Sequence, residues 1–130
     1  KFFRLKIPSS FISDPHIQFM SANSLGKKDV VVAISQSGTT SALVDSVNIV
    51  RKSGVKVIGI MPAGTPLANV CDYPLTIDVG DNNRLSKPNT SRIAYTAVID
   101  VMTMGVAQLK PEAQEHLYNI VDSQRSLRVK

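Results

Sequence analysis

The chain has 130 residues, of which 43% are hydrophobic and 19% are charged. These values fit one compact domain with its own core and exclude a disordered chain. The net charge is +5, but the basic residues are dispersed along the sequence and aromatic residues make up only 5%. A nucleic-acid surface that interleaves basic and stacking side chains is therefore not indicated, and an anionic small ligand fits the charge equally well.

Cysteine content and hydropathy limit the remaining classes. The single cysteine, Cys71, excludes an intrachain disulfide and a multi-cysteine zinc site, and we interpret it as a small buried apolar residue. No His, Asp or Glu cluster has metal-ligand spacing, so we predict neither a metal nor another cofactor. The single cysteine favours a reducing compartment, and we expect a cytoplasmic protein. We find no signal peptide and no uncharged run of membrane-spanning length, so we expect no membrane contact.

In chain order, predicted strands alternate with predicted helices. Two helix starts are marked by a capping side chain followed by proline, at Asp14-Pro15 and Thr65-Pro66. The expected elements are a short strand at 7–12, a helix at 15–25, a strand at 30–35, a helix at about 39–53, a strand at 56–61, a short helix from Pro66, a strand at 73–79, a polar loop at 80–89, a long helix at about 90–109 and an amphipathic helix after Pro111.

The fold class follows from the strands at 30–35 and 56–61. Both are continuous apolar runs rich in β-branched residues, which is typical of parallel strands covered on both faces. Short alternation of such strands with helices predicts an α/β fold, a three-layer αβα sandwich with a parallel sheet and right-handed crossovers. In these folds ligands bind beyond the carboxyl ends of the strands, where residues 35–40 fall.

The helix predicted at 90–109 is apolar nearly all round, and Arg92 and Asp100 are its charged residues. A helix of this kind belongs either to a core or to a subunit interface. We expect a mixture of both, and therefore a homo-oligomer, with a dimer favoured.

Seven small or polar residues without a charge follow the first buried strand, at 35–41. A loop entering a helix N-terminus supplies free N–H groups and a partial positive charge, to which the hydroxyls and the Gln36 amide would add donors for a phosphate. Gly38 would permit close backbone approach. The loop is not a Walker-type or G-x-G-x-x-G motif. A capped strand-to-helix turn explains the hydroxyls equally well on spacing alone.

The segment from Ala33 to Ile77 resembles the SIS (sugar isomerase) domain. Its S-x-S-G-x-T core is similar to that family's phosphosugar-binding loop, and "GVKVIGI" and "TPLA" follow in family order. The flanking "DPHIQFMSANSLGKKDVVVAIS" and "PNTSRIAYTAVIDVM" are similar to the effector-sensing SIS domains of RpiR-type, HexR-like bacterial transcription regulators. The resemblance covers roughly residues 1–110 and implies a flavodoxin-like or Rossmann-like fold.

The resemblance also implies site residues. Phosphate contacts would come from Ser35, Gln36, Ser37 and Thr40, with Gly38 setting the loop geometry. Of lower rank are three residues near the ligand: Thr39, Ser91 and Arg92. Thr39 stands where some isomerase-type members have a glutamate. Arg92 would either pair with a ligand anion or lie on the surface or in a subunit interface, and the second placement is slightly favoured.

We expect residues 1–130 to form one partial SIS phosphosugar-binding domain, with a core at 1–110 and a C-terminal helix at 111–126. The chain does not begin with Met, and the family's first strand, its small-residue loop and a helix-turn-helix domain are expected upstream of residue 1. DNA contact would then occur only through that missing N-terminal domain, and the fragment's own ligand site would be incomplete.

We consider three hypotheses for the function: a sensor domain and two alternatives. A phosphosugar (aldose–ketose) isomerase needs a base, and the segment at 82–92 has no glutamate. His16 is interpreted as a solvated helix-start residue, and His116 stays possible as a base supplied to a neighbouring subunit. We therefore expect a non-enzymatic domain that senses a phosphorylated sugar or sugar acid. The isomerase remains the alternative, and a dimerisation module with a merely capped turn is the third.

Overall fold

The computed structural model describes residues 1–79 and 87–126. The helices and strands in chain order are a 3₁₀ helix Phe2–Leu5, α1 Pro15–Ala22, β1 Val30–Ile34, α2 Ser41–Lys52, β2 Lys56–Met61, α3 Pro66–Val70, β3 Tyr73–Thr76, α4 Lys87–Leu109 and α5 Pro111–Ser126. The long helix begins three residues before the predicted position, and the rest of the predicted loop at 80–89 lies outside the described residues.

The strands form a parallel sheet in the order β1-β2-β3. In its register Val30 lies beside Lys56 and Ile34 beside Ile60, and β3 follows on the other side of β2. The parallel arrangement and the helices packed against the sheet confirm the predicted α/β class. Because the strands are parallel, the residues after Ile34 and Met61 lie at the same edge of the sheet.

Burial differs among the strands in a way that the apolar pattern did not predict. In the central strand β2, Val57, Ile60 and Met61 are fully buried. In β1, Val30 is 61% exposed and Ile34 is 42% exposed. The prediction of cover on both faces therefore holds for β2 and fails at the two ends of β1, for which the described residues provide a partner strand on one side only.

The strand predicted at 7–12 is wrong, because this segment is irregular in the structure. Its ends are held by other contacts. The N–H of Ile7 donates to the carbonyl of Phe2 at 3.4 Å, and the side-chain amide of Gln18 donates to the carbonyl of Ile12 at 3.1 Å. An apolar run becomes a strand only where a neighbouring strand completes its hydrogen bonds.

Two predicted helix starts are confirmed at the level of their caps. The Asp14 carboxylate accepts from the N–H groups of His16 and Ile17 at 2.9 and 3.0 Å. The Thr65 hydroxyl accepts from the N–H of Ala68 at 3.4 Å. These side chains satisfy backbone donors that the first helical turn leaves free.

The contacts divide the chain into two compact units. One unit comprises Ile12–Tyr95 and contains the sheet, with a core built by the buried residues Ala22, Ala33, Val47, Val50, Val55, Val57, Met61 and Leu67. The other comprises Lys1–Phe11 with the chain from Thr96 onward, and its core is Leu5, Ala107 and Ala113. Among the described residues, no helix combines the length and the apolar character needed to cross a membrane.

Candidate functional site

The candidate site lies where β1 ends and α2 begins, at the carboxyl edge of the sheet. Four side chains of this loop line one open depression of about 480 Å³. They are the four residues predicted to contact a phosphate: Ser35, Gln36, Ser37 and Thr40. The structure therefore brings together the four residues for which the family resemblance implies a phosphate contact.

Ser35 is the buried anchor of this loop, with 8% of its surface exposed. Its N–H continues the sheet by donating to the carbonyl of Ile60 at 3.0 Å. Its hydroxyl oxygen accepts from the N–H of Gly38 at 3.0 Å. Since the oxygen is occupied as an acceptor, the hydroxyl hydrogen is left to donate to another group.

The Ser37 hydroxyl oxygen also accepts a hydrogen bond from within the loop. Its hydroxyl oxygen accepts from the N–H of Thr39 at 3.3 Å and pairs with the Thr39 hydroxyl at 3.0 Å. The Thr39 side chain is therefore engaged inside the loop. Ser37 itself is exposed, and its hydroxyl hydrogen is likewise left to donate.

The start of α2 supplies backbone donors. Thr40 stands at the N-cap position, but its side chain makes no capping hydrogen bond. Its carbonyl accepts from the N–H groups of Leu43 and Val44 at 3.2 and 3.1 Å. Within the part of the chain that the structure describes, no oxygen accepts from the N–H groups of Ser41 and Ala42. These free donors lie at the positive end of the helix dipole.

Gly38 connects the loop to α3. Its φ is +66°, a left-handed conformation that favours glycine, and its carbonyl accepts from the N–H of Leu67 at 3.0 Å. The neighbouring Thr65 hydroxyl donates to the carbonyl of Pro62 at 3.0 Å, which holds the turn before α3. The loop and the "TPLA" segment are therefore one structural unit, which explains why the two motifs occur together.

The first turns of α4 contribute a residue that the sequence analysis missed. Tyr95 is 6% exposed, and its hydroxyl donates to the carbonyl oxygen of Ser35 at 3.4 Å. Burial, together with the negative charge of Asp78, raises the pKa of Tyr95, so its hydroxyl stays protonated as a donor. The sequence offers one signal for this role: Tyr95 is an aromatic residue with a hydroxyl group, one helical turn after Ser91 in a largely apolar helix.

Ser91 and Arg92 were predicted to edge the site. Ser91 is buried, with 3% of its surface exposed, and Arg92 is exposed. Neither residue belongs to the lining of the depression at the loop. Both histidines lie elsewhere in the chain: His16 is exposed in the first turn of α1, and His116 is half-buried in α5.

A second depression, of about 620 Å³, lies at the junction of α2 and β2, at the amino-terminal end of β2. Its lining includes Arg51, Lys52 and Lys56, and the aliphatic part of Lys27 packs over Gly54 beside them. Basic residues that are dispersed in the sequence are thus gathered by the fold, contrary to the interpretation from sequence. Part of their charge is already neutralised within the chain.

Asp72 supplies that neutralisation. Its carboxylate accepts from the N–H of Val57 at 3.0 Å and from the Lys56 ammonium at 3.2 Å, and Arg51 lies 3.8 Å away. The Val57 hydrogen bond, followed by the Lys56 contact, holds the pKa of Asp72 below its usual value. Arg51 and Lys52 also occupy the last turn of α2, where cations stabilise the helix dipole.

Fold and site together define an α/β protein with a hydroxyl-rich, uncharged loop at the carboxyl edge of a parallel sheet. Residues 1–105 match the family model of the SIS domain. The chain belongs to the SIS domain family, as its sequence motifs predicted.

Two curated relatives indicate where such domains occur. The HTH-type transcriptional regulator HexR of Escherichia coli is 38% identical over 105 residues, covering 81% of this chain and 36% of the relative. The bifunctional protein glk of Burkholderia thailandensis is 37% identical over 107 residues, covering 82% of this chain and 17% of the relative. The chain therefore spans about a third or less of the length of these relatives, and the predicted resemblance to HexR-like regulators is confirmed.

A solved structure with the same fold is the Vibrio vulnificus NanR protein complexed with ManNAc-6P. It superposes with a TM-score of 0.84 at 18% identity, covering 99% of this chain and 49% of NanR. This likeness confirms the predicted αβα sandwich with a parallel sheet.

Proposed function

We propose that this chain is the phosphosugar-sensing domain of an RpiR-type, HexR-like transcription regulator, and that the loop Ser35–Thr40 holds the phosphate of the ligand. One observation carries the proposal. The serine oxygens of the loop are occupied as acceptors by N–H groups of the loop itself, so the hydroxyls have hydrogens left to donate.

The backbone adds to this donor set. The N–H groups of Ser41 and Ala42, at the start of a 12-residue helix, have no acceptor among the residues that the structure describes. A phosphate dianion needs several converging donors and gains from the positive end of the helix dipole. The first acidic residue after the loop is Asp45, so no carboxylate within the loop repels an anion. The Thr40 side chain makes no capping hydrogen bond, which weakens the alternative in which the hydroxyls serve only as helix caps.

The relatives support the class of ligand and the regulatory context. HexR is a transcriptional regulator, and the NanR structure with the same fold contains ManNAc-6P. A phosphorylated sugar is therefore the ligand class we assign to the loop, and DNA binding would be the task of a separate helix-turn-helix domain. Occupancy of the loop would change the equilibrium between two arrangements of the whole regulator by its differential affinity for them.

The binding test compares a loop variant with a matched control. Thermal unfolding of the complete gene product is measured with ManNAc-6P and fructose 6-phosphate, and with the same sugars lacking phosphate. A ligand at 100 times its dissociation constant should add about 2.7 kcal/mol of stability. Ser37→Ala removes an exposed loop hydroxyl and should reduce the effect, whereas Ser53→Ala, at the far end of α2, should leave it unchanged. Equal stabilisation by phosphorylated and unphosphorylated sugars would overturn the proposal.

The regulatory part of the proposal is tested on the complete gene product. Binding of operator DNA is measured with and without the phosphosugar that stabilises the chain most. We expect the ligand to change DNA affinity in the wild type, and we expect Ser35→Ala combined with Ser37→Ala to abolish that change. An unaltered response in the double variant would exclude the loop as the sensing site.

The isomerase alternative is tested by turnover. Fructose 6-phosphate, ribulose 5-phosphate and phosphorylated N-acetylmannosamine are each incubated with the chain, and products are separated by chromatography. An aldose–ketose isomerase moves a proton between adjacent carbons and needs a positioned base, and the loop contains no carboxylate or histidine. We expect no product beyond one equivalent per chain. Multiple turnover would show that the domain is an enzyme and would contradict the sensor proposal.

A further inference from the structure

We propose that Tyr95 is a positioning residue of the ligand loop, which sets the direction of the Gln36 N–H and links α4 to occupancy of the loop. This inference rests on the proposed phosphosugar site. It extends that site to a residue of α4, 55 positions after the loop, that does not line the depression.

Ser35 is held at three of its polar atoms. Its N–H donates to Ile60, its hydroxyl oxygen accepts from Gly38, and its carbonyl oxygen accepts from the Tyr95 hydroxyl at 3.4 Å. The first two contacts belong to the sheet and to the loop. The third is the only one of them that comes from α4, so it joins the helix to the point where β1 ends.

Through the peptide bond between Ser35 and Gln36, the hydrogen bond from Tyr95 also determines the direction of the Gln36 N–H. The bond is trans and planar, so the Gln36 N–H points opposite to the Ser35 carbonyl. Because Tyr95 holds the Ser35 carbonyl on the side that faces α4, the Gln36 N–H points away from α4. Gln36 lines the depression, and no described oxygen of the chain accepts from its N–H.

Tyr95 is suited to this role by its surroundings. The side chain is 6% exposed, so its hydroxyl needs a hydrogen-bond partner inside the protein. Asp78 lies close enough for its charge to act on the phenol, and its carboxylate is itself fixed by the N–H of Ala63 at 3.0 Å. A protonated, buried hydroxyl has one hydrogen to give, and the Ser35 carbonyl receives it.

Occupancy of the loop should strengthen this bond. An anion that accepts from the Gln36 N–H polarises the peptide group and makes the Ser35 carbonyl a better acceptor. The Tyr95 hydroxyl is then held more tightly, and the helical turn around it opens less often. Ligand binding should therefore slow hydrogen exchange of the α4 amides near Tyr95, although no residue of that turn lines the depression.

The test uses Tyr95→Phe, which removes one oxygen and keeps the ring in place. Tyr118→Phe is the matched control, because Tyr118 is 73% exposed in α5. Affinity of the complete gene product for ManNAc-6P and fructose 6-phosphate is measured by calorimetry, and exchange of its α4 amides is measured with and without ligand. We expect roughly three- to tenfold weaker binding in Tyr95→Phe, loss of the ligand-dependent protection in α4, and no change in Tyr118→Phe.

The outcomes separate this inference from the function on which it rests. If the wild type binds neither phosphosugar, the proposed function fails and the inference fails with it. If the wild type binds and Tyr95→Phe binds equally well with the same protection of α4, only the role of Tyr95 is overturned. A purely structural Tyr95 would lower the melting temperature without altering either the affinity or the ligand-dependent protection, which would also overturn it.

Discussion

Gly38 of the loop packs directly against Thr65 at the start of α3: a Cβ atom placed on Gly38 would lie 2.3 Å from the Thr65 hydroxyl oxygen. It would also lie 2.5 Å from the Thr65 Cβ, so rotation of the side chain cannot relieve the clash. With the hydrogen bond from Leu67 to the Gly38 carbonyl, this contact fixes the loop on α3. The glycine is required by close approach as well as by its positive φ.

The first prediction concerns Gly38→Ala, with Gly64→Ala as its control. Both glycines have positive φ, +66° and +67°, but no atom of the residues that the structure describes lies within 4 Å of a Cβ at Gly64. Gly64→Ala should therefore cost only the left-handed strain, roughly 1–2 kcal/mol. Gly38→Ala should cost more in urea denaturation, because Thr65 and the backbone must also move, and it should abolish phosphosugar binding. Equal costs at the two positions would show that the contact with Thr65 does not constrain the loop.

The sequence predicted those parts of the fold that depend on local pattern. The apolar runs of β1 and β2, the cap at Thr65 and the loop after Ile34 were recognisable because each is encoded within a few consecutive residues. The strand predicted at 7–12 failed because a strand also needs a partner, and no local pattern records one.

The missed parts of the site depend on contacts that are distant in sequence. Tyr95 meets Ser35 across 60 positions, and the Lys27 side chain lies beside Gly54, which is far from it in the sequence. Composition showed that basic residues were present but not that the fold gathers them. The spacing of the hydroxyl residues likewise could not predict that Ser35 is buried, since serine and threonine are usually exposed.

The second prediction concerns Gly59 in the centre of β2. A Cβ there would lie 2.5 Å from the Cys71 sulfur and 2.1 Å from the Met61 terminal methyl. The methyl group ends a flexible side chain and can move away, whereas the Cys71 Cβ, 3.2 Å from the new atom, is fixed by the backbone. Gly59→Ala should therefore cost about 1–3 kcal/mol through overpacking. Gly26→Ala is the control, because in the described part of the chain nothing lies within 4 Å of its Cβ position, and it should be within about 0.5 kcal/mol of the wild type.

A double-mutant cycle checks the cause of that cost. Cys71→Ala removes the sulfur and should destabilise the wild type slightly, because Cys71 packs against the core of this unit. In the Gly59→Ala background the same change makes room for the new methyl group. The double variant should therefore be more stable than the sum of the two single costs predicts. Strict additivity, measured by urea denaturation, would indicate that the sulfur is not what the new methyl group meets.

The third prediction is a pH dependence that comes from Asp72. Its pKa is lower in the folded chain than in the unfolded one, chiefly because the Val57 N–H and the Lys56 side chain favour the charged form. The stability that it contributes is therefore present above the unfolded pKa of about 3.9 and is lost as the pH falls through and below that value. Asp72→Asn should lower the urea midpoint at pH 7 and flatten its decline toward pH 3.

The control for this prediction is Asp122→Asn, which breaks an exposed contact with Arg125 in α5. Exposed pairs of this kind contribute little to stability, so the urea midpoint should follow the wild-type curve at every pH. An Asp72→Asn curve with the slope of the wild type would assign the acid sensitivity to other carboxylates.

The fourth prediction concerns self-association through α4. Val101 is 73% exposed and Met104 is 59% exposed, and the two residues are three positions apart on one face of the helix. Exposed apolar side chains grouped in this way are typical of an interface, so we expect a homodimer in light scattering. Replacing both residues by Asp should shift the chain toward the monomer, because burying two carboxylates opposes association. Asn119→Asp in α5 adds one charge at an exposed position and should leave the dimer intact. A wild-type chain that stays monomeric at every concentration tested would contradict the prediction and leave α4 as a surface of the single chain.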